Sequence, residues 1–530
     1  MPSRRTPVAP APRPAAAPRA KRRPAPPAIT GNARVRMYRH GLGDCFLLRF
    51  ANKGSRTSFN VLIDCGVIAV AQQPKAKMEE VLQDIRKATG GHLHVVVLTH
   101  EHWDHVSGFS TQQVQGLFAQ MTIGEVWYGW TEDPANKLGT RLRAERAAKL
   151  KTLEQAAAGL RAQQARLAAG STEGKLAKQR SDRVQGLLRF FGVDEADPVP
   201  QPGLGAAAAG PRIGKTRAAF EYLAGRRDVK TRYIYANDGP ISLPSVDGVR
   251  VFPLGPPEDE GMIKRSSPTK KGQEVYELAG DMQMDENLEA AFARLAAGPG
   301  ADVGDDGPFD MSFRRQPATP PTQDPKDPLD RLVRDTWNLD GAEWRRIDRD
   351  WTGAAETLAL DLDNHTNNTC LVLAFELGAN GKVLLFAADA QVGNWLSWQD
   401  LRFRFKDANA MRTVTGPQLL SRTVFYKVGH HGSHNATLRT LGLEQMTSGE
   451  LVAFVPVFKA HALKSGWKEM PFGPLVKRLG ERSSGRLVFS DPEMKAPAAD
   501  DLKDLLPAER KRFLASLTTD KLFYEYDLPY

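Results

Sequence analysis

Three histidines and an aspartate fall within six residues of this chain. They are His100, His102, Asp104 and His105, in the stretch VVVLTHEHWDHVSGF at 95–109. Only 11 histidines occur in 530 residues, so the cluster is either a metal site or a polar turn rich in histidine by accident. Imidazole and carboxylate together suit zinc, manganese or iron better than calcium or magnesium. His100 and His102 are two residues apart and can face one side of an extended turn. Asp104 and His105 continue into the next turn and can reach a second ion. Two ions about 3.5–4 Å apart can clamp a nucleophilic hydroxide. Matching residues lie far downstream: Asp389 follows KVLLFAA, and His430 and His431 follow TVFYKVG.

Each of these groups closes an apolar run, so strands must deliver them. Alternation in ARVRMYRHGLGDCFLLRFANKGSRTSFNVLIDCG predicts two hairpin strands, about 35–50 and 57–64, joined at NKGSR. KMEEVLQDIRKATGG has helical spacing at Met78, Val81, Leu82 and Ile85 and ends in glycines. The strand HVVVLTH and a second strand EVWYGW follow. Strand, helix, strand with polar residues gathered after the strands is an α/β arrangement that places sites at those ends. Further strands are expected in the hairpin TCLVLAFELGANGKVLLFAADA, in SRTVFYKVG, in ELVAFVPV and in GRLVFSD. An Ala-, Leu-, Arg- and Gln-rich stretch from about 137 to 191 reads as two long helices broken near AGSTEG. It is either an inserted hairpin lying on the core or an arm for oligomerisation. Residues 261–328 form a polar second insertion around a short helix, DENLEAAFARLA.

The segments GLGDCFLLRF, NVLIDCG, HxHxDH at 100–105, LLFAADA and YKVGHHGSHNAT together resemble the metallo-β-lactamase fold. They are most similar to the hydrolase domain of the DNA-uptake protein ComEC and its soluble relatives. The resemblance implies an α/β fold, an αββα sandwich of two mixed β-sheets flanked by helices, here carrying a helical-hairpin insertion and a disordered N-terminal tail. It divides the chain into a tail (1–30) and one domain (31–530) with insertions at about 137–215 and 261–350. It implies two divalent ions, zinc first, with manganese or iron as alternatives. His100 and His102 would bind the first ion and Asp104 and His105 the second, with Asp389 bridging. His431 would complete the second site and His430 would assist as proton donor or transition-state group, although sequence alone leaves these two exchangeable. His365, in DNHTNNTCLVL, would complete the first site. Asp64 would orient a ligand or the bridging water, and Ser433 and His434 would contact substrate. Asp104, Asp389 and His430 are thus the expected catalytic residues. Two positions depart from the family pattern: Ala388 replaces the usual glycine before the aspartate, and Met470 stands where relatives carry a histidine.

The implied chemistry is hydrolysis by a metal-bridging hydroxide, most naturally of a phosphodiester or phosphate ester of nucleic-acid or nucleotide type. A lactone or thioester hydrolase is the alternative on the same site. A metal-bearing interaction module, working through the helical insertion and the basic tail, is the alternative of another class. The net charge of +10 includes seven cations in residues 1–30, leaving the other 500 residues near +3. The resemblance implies an anionic substrate, nucleic acid being one such, while the modest charge of the folded part argues against a broad duplex-binding surface. The Pro/Ala-rich tail cannot bury a core. No run reaches the roughly 18–20 apolar residues of a membrane span. Three scattered cysteines and no apolar leader place the expectation in the cytoplasm. His40, His92, His94 and His461 lie outside the pattern and read as packing or surface residues.

Overall fold

The computed structural model describes residues 31–68, 73–166, 170–193, 214–265, 328–332, 351–378, 381–407, 410–465 and 467–530. The tail 1–30 and the helix expected at DENLEAAFARLA lie outside the described residues. One sheet takes β1 (Gly31–Tyr38), β2 (Cys45–Asn52), β3 (Phe59–Cys65), β4 (His92–Val97), β5 (Thr122–Gly129) and β6 (Lys230–Ile234). The second holds β7 (Ile241–Ser242), β8 (Val249–Gly255), β9 (Val372–Leu377) and β10 (Lys382–Phe386). A separate ribbon pairs β11 (Arg402–Asp407) with β12 (Ala410–Thr415). The second sheet then adds β13 (Thr423–Lys427), β14 (Val452–Val455) and β15 (Leu487–Phe489). Finally β16 (Leu517–Thr519) and β17 (Phe523–Pro529) return to the first. The sheet orders are β16-β17-β1-β2-β3-β4-β5-β6 and β15-β14-β13-β10-β9-β8-β7. The first sheet has four antiparallel and three parallel pairings and the second three of each, the parallel ones running from β3 to β6 and from β10 to β15.

The sheets face each other across an aromatic and aliphatic layer. Phe46 meets Phe386 edge-on with centroids 5.7 Å apart, and Phe50 stacks on Phe375 at 5.5 Å. Helices cover both outer faces: Met78, Val81, Leu82 and Ile85 of helix Pro74–Thr89 close the first sheet, on the face that their spacing predicts. The result is the αββα sandwich. A fully buried Leu, Val or Phe contributes about 1.5–3 kcal/mol to such a core, which is why apolar strands dominate the pattern.

One sequence expectation changes and one segment gains an element. The first predicted strand is two strands, β1 and β2, because RHGLGDC turns sharply at Gly41 (φ +130). The segment containing His365, to which the sequence assigned no element, is the end of helix Trp351–Asn368. The helical insertion is seen as helices Lys137–Arg166 and Thr172–Leu188. Ser171 caps the second by accepting from the Gly174 amide at 3.0 Å. Leu153, Leu160, Val184 and Leu188 bury one face of this hairpin in the same core as the second sheet. Arg146 ties it to Glu101 and Glu132, and Glu101 sits inside the HxHxDH motif itself.

Candidate metal centre

Strand ends from both sheets converge on one buried cluster. β4 leads to His100, His102, Asp104 and His105; β10 leads to Asp389; β13 leads to His430 and His431. Five of these seven are no more than 1 % exposed, His100 is 2 % exposed and His430 is 7 % exposed. Burial this complete demands that each polar atom find a partner. Most do, and those that do not share a direction.

His105 Nδ1 lies 2.8 Å from Asp64 Oδ2. Asp64 also accepts from the Thr99 amide (2.9 Å) and Thr99 hydroxyl (2.7 Å). An ionised carboxylate only accepts, so Nδ1 carries the proton and Nε2 is directed inward. His431 repeats the device: its Nδ1 donates to the Pro456 carbonyl at 2.7 Å, and its Nε2 faces Asp104 Oδ2 at 2.8 Å. His105 Nε2 stands 3.1 Å from Asp389 Oδ2 and 3.8 Å from Asp104 Oδ2. His431 Nε2 is 3.8 Å from Asp389 Oδ2. Two imidazole nitrogens thus oppose two carboxylates. Asp104, His105, Asp389 and His431 can offer one ligand atom each, all within 4.8 Å of one another. Asp104 Oδ1, His105 Nε2 and Asp389 Oδ2 are buried without a hydrogen-bond partner. A divalent cation is the species that satisfies such a set of donors.

His100 and His102 form the adjoining pair, His100 Nε2 to His102 Nδ1 being 3.0 Å. His100 Nδ1 is held by the Thr99 hydroxyl oxygen at 3.1 Å. Burial depresses the His102 pKa to about 3 and pushes His100 well below the ordinary value, so both rings are neutral and able to ligate. Burial would also lower His105, but the Asp389, Asp44, Asp64 and Asp104 carboxylates outweigh it and raise this group well above 6.5. His431 is raised for the same reason, by Asp389 and Asp104. For Asp389, burial works upward, but His105, Lys427 and His431 hold its carboxyl well below the usual range.

The backbone is specialised here. Asp64 (φ 55), Ala388 (φ 48), His430 (φ 40) and His431 (φ 52) all occupy the left-handed region, at a cost of about 1–2 kcal/mol each. Ala388 is the position where the resembled family has glycine, and its positive φ is the reason. A Cβ on Gly43 would lie 2.6 Å from the Asp104 carbonyl oxygen, and one on Gly66 2.5 Å from the Asp104 carbonyl carbon. These glycines of GLGDC and IDCG let the β2 and β3 ends close over the motif loop.

The structure does not bring His365 into the cluster. Its Nε2 bonds the Lys264 carbonyl at 3.1 Å, and it lines a separate pocket with Arg143, Arg146 and Lys149. Residues two positions apart on a helix are rotated by about 200°, so Asp363 faces inward and His365 outward. His430 lies beside His431, with its Nδ1 3.2 Å from Gln391 Nε2 and 3.0 Å from Ser433 Oγ. Ser433 thus touches His430, and His434 packs edge-on near Phe472, centroids 6.2 Å apart.

Sequence reasoning missed Asp44 and Lys427. Lys427 Nζ pairs with Asp44, reaches Asp389 Oδ1 at 3.2 Å and donates to the Ala388 carbonyl at 2.7 Å. Burial would lower its pKa, but Asp44 and Asp389 raise it. A lysine ending an apolar strand beside HHG, and an aspartate in GLGDC, were the available signals. It also missed Phe190 and Phe191, which directly follow the second helix of the insertion and wall His102, with centroids 5.5 and 4.8 Å away.

Residues 39–159 match the family model described as the Metallo-beta-lactamase superfamily, which with the αββα architecture makes this a protein of metallo-β-lactamase fold carrying a candidate metal centre. The matched stretch holds HxHxDH, while Asp389 and His431 lie beyond it and join it only in space. No curated protein and no solved structure matches the chain significantly. Among the described residues, no helix is long and apolar enough to cross a membrane.

Proposed function

We propose that this protein is a hydrolase dependent on two divalent cations, acting on a phosphodiester or phosphate ester. The observation that carries the metal requirement is the inward face of His105 and His431. Each has its outer nitrogen committed to an acceptor and its inner nitrogen set against carboxylates. Asp104, His105 and His431 would hold one cation, His100 and His102 the other, with Asp389 between them. Bound there, the cations would lower the pKa of a water and polarise the scissile ester.

The chain's own residues supply the rest. Lys427 and the His430 amide, 3.0 Å from Asp389 Oδ1, fix that carboxylate so that Oδ2 points inward. Asp64 and Pro456 set the histidine tautomers. The Gln391 amide nitrogen at 3.2 Å and the Ser433 hydroxyl at 3.0 Å bracket His430 Nδ1 and hold the ring in place. His430 is held to a pKa of about 4, chiefly by burial, and so serves as a neutral donor to a developing oxyanion or leaving group. Ser433 supports that ring. The phosphoester reading draws on the ComEC-like segments and this neutral donor.

One observation favours a second reading. Phe190 and Phe191 place an apolar wall beside His102, and Phe190 stacks on Trp467 at 4.3 Å, a surface suited to the acyl chain of a lactone or thioester. Turnover of bis(p-nitrophenyl) phosphate, an acyl lactone and an acyl thioester by metal-loaded protein decides between them, with Asp104→Ala and Asp389→Ala as controls. Phosphodiester turnover lost in both variants is expected. Turnover confined to the lactone or thioester gives the second reading. Bound metal with no turnover of any substrate overturns the hydrolase.

A further inference from the structure

His365 leaves the first cation site without the residue expected to complete it, yet the same helix sends another group inward. Asp363 is buried, at 4 % exposure. Its Oδ2 accepts from Asn367 Nδ2 at 3.1 Å, one turn further along the helix. Its Oδ1 has no hydrogen-bond partner, and neither has His102 Nε2, which lies 3.9 Å away. Burial first, and then the Asp104 and Asp389 charges, push its carboxyl well above the usual carboxylate range, so it belongs to the electrostatics of the cluster. No lysine or arginine is paired with it among the described residues.

The other histidines show what an acceptor in this place does. His105 gives its outer nitrogen to Asp64, His431 gives its own to Pro456, and His100 gives its own to Thr99. His102 is the fourth, and the acceptor facing its outer nitrogen is Asp363. We propose that Asp363 is the positioning carboxyl of the first cation site: it accepts a hydrogen bond from the Nε2–H of His102 and so leaves Nδ1, 3.0 Å from His100 Nε2, as the ligating nitrogen. The gap of 3.9 Å exceeds a hydrogen bond, so the contact requires one of the two side chains to rotate toward the other. Asn367 locks the other carboxylate oxygen and aims Oδ1. The helix therefore contributes to the site an oxygen that acts through His102, in place of a third histidine. This inference rests on the metal reading above.

The test is cation stoichiometry and affinity, measured with Mn(II) and Co(II) on the full chain, for wild type, Asp363→Ala and Asp363→Asn. Outer acceptors of metal-bound histidines are typically worth 10–100-fold in metal affinity. Asp363→Ala should weaken one of two sites by that factor and leave the other unchanged, with an altered Co(II) absorption spectrum. Asp363→Asn should recover most of the loss. Its Oδ1 still accepts from His102, and Asn367 can turn its unpartnered Oδ1 toward the new amide. Melting in chelator should show Asp363→Ala no less stable than wild type, which separates a lost site from lost folding. Two sites of unaltered affinity in Asp363→Ala overturn the inference while leaving the metal reading intact. Asp363→Asn as defective as Asp363→Ala also overturns it, making the carboxylate a direct ligand. Wild type that binds no cation overturns both.

Discussion

Lys427→Met isolates the electrostatic cost of assembling so many carboxylates. The side chains of Lys427, Asp44 and Asp389 are 2 %, 2 % and 1 % exposed, and the lysine contacts both acids. Methionine keeps the length and apolar stem but removes the charge. Breaking a buried pair by deleting one partner typically costs about 3–5 kcal/mol, because an uncompensated charge stays buried. Here two carboxylates lose their shared cation and the Ala388 carbonyl loses a donor, so the upper part of that range is expected. Urea denaturation in the presence of chelator measures it. Adding Asp44→Asn to Lys427→Met should restore part of the loss, since the pair then no longer strands a second charge. Saturating divalent cation should narrow the gap between Lys427→Met and wild type, because it neutralises Asp389 from the other side. A single variant within about 1 kcal/mol of wild type in chelator, or a double variant no better than the single, would refute the reasoning.

Proton linkage offers a second check. His105 and His431 are both raised above 6.5 by the surrounding carboxylates, so a cation must displace protons from them at neutral pH. Metal affinity should therefore climb as pH rises through and above 6.5, with proton release seen as calorimetric heats that depend on the buffer; buffer-independent heats would contradict it. In chelator the same two groups act oppositely on folding. Their stabilisation is full below the unfolded value of about 6.5 and is lost as pH rises through the raised folded values, which a pH series of urea melts reports. His365→Ala should leave the cation stoichiometry unchanged, because its ring bonds Lys264 away from the cluster; loss of a cation would reinstate it. Phe190→Ala should cost about 3–5 kcal/mol by removing a buried ring, measured by urea melts, and should change KM more than kcat for any substrate that lies on the apolar wall.

Much of the centre was legible in one dimension because its parts are strand ends. An apolar run marks a strand, and a polar group just after it must lie at a sheet edge, so HxHxDH, Asp389 and HHG could be placed together before any fold was seen. Local spacing also gave the helix Pro74–Thr89 and the two long insertion helices, since 3.6-residue periodicity is a property of the segment alone. The exchange of Asp363 for His365 was not legible. It depends on the phase of a helix whose orientation is set by packing against the inserted hairpin and the second sheet. Lys427 escaped for a similar reason: within a strand it reads as an ordinary polar terminus, and only the return of Asp44 from the other sheet makes it a buried counter-ion. Sequence by itself determined the metal-suited residue types and the strands that carry them, which follow from residue chemistry and short-range periodicity, while the αββα class came from the resemblance of its motifs to a known family. Tertiary structure alone decided which nitrogen of each histidine faces inward, which helix face meets the site and which charges share one dry space. Those outcomes depend on distances between segments more than 300 residues apart, as for Asp104 and His431.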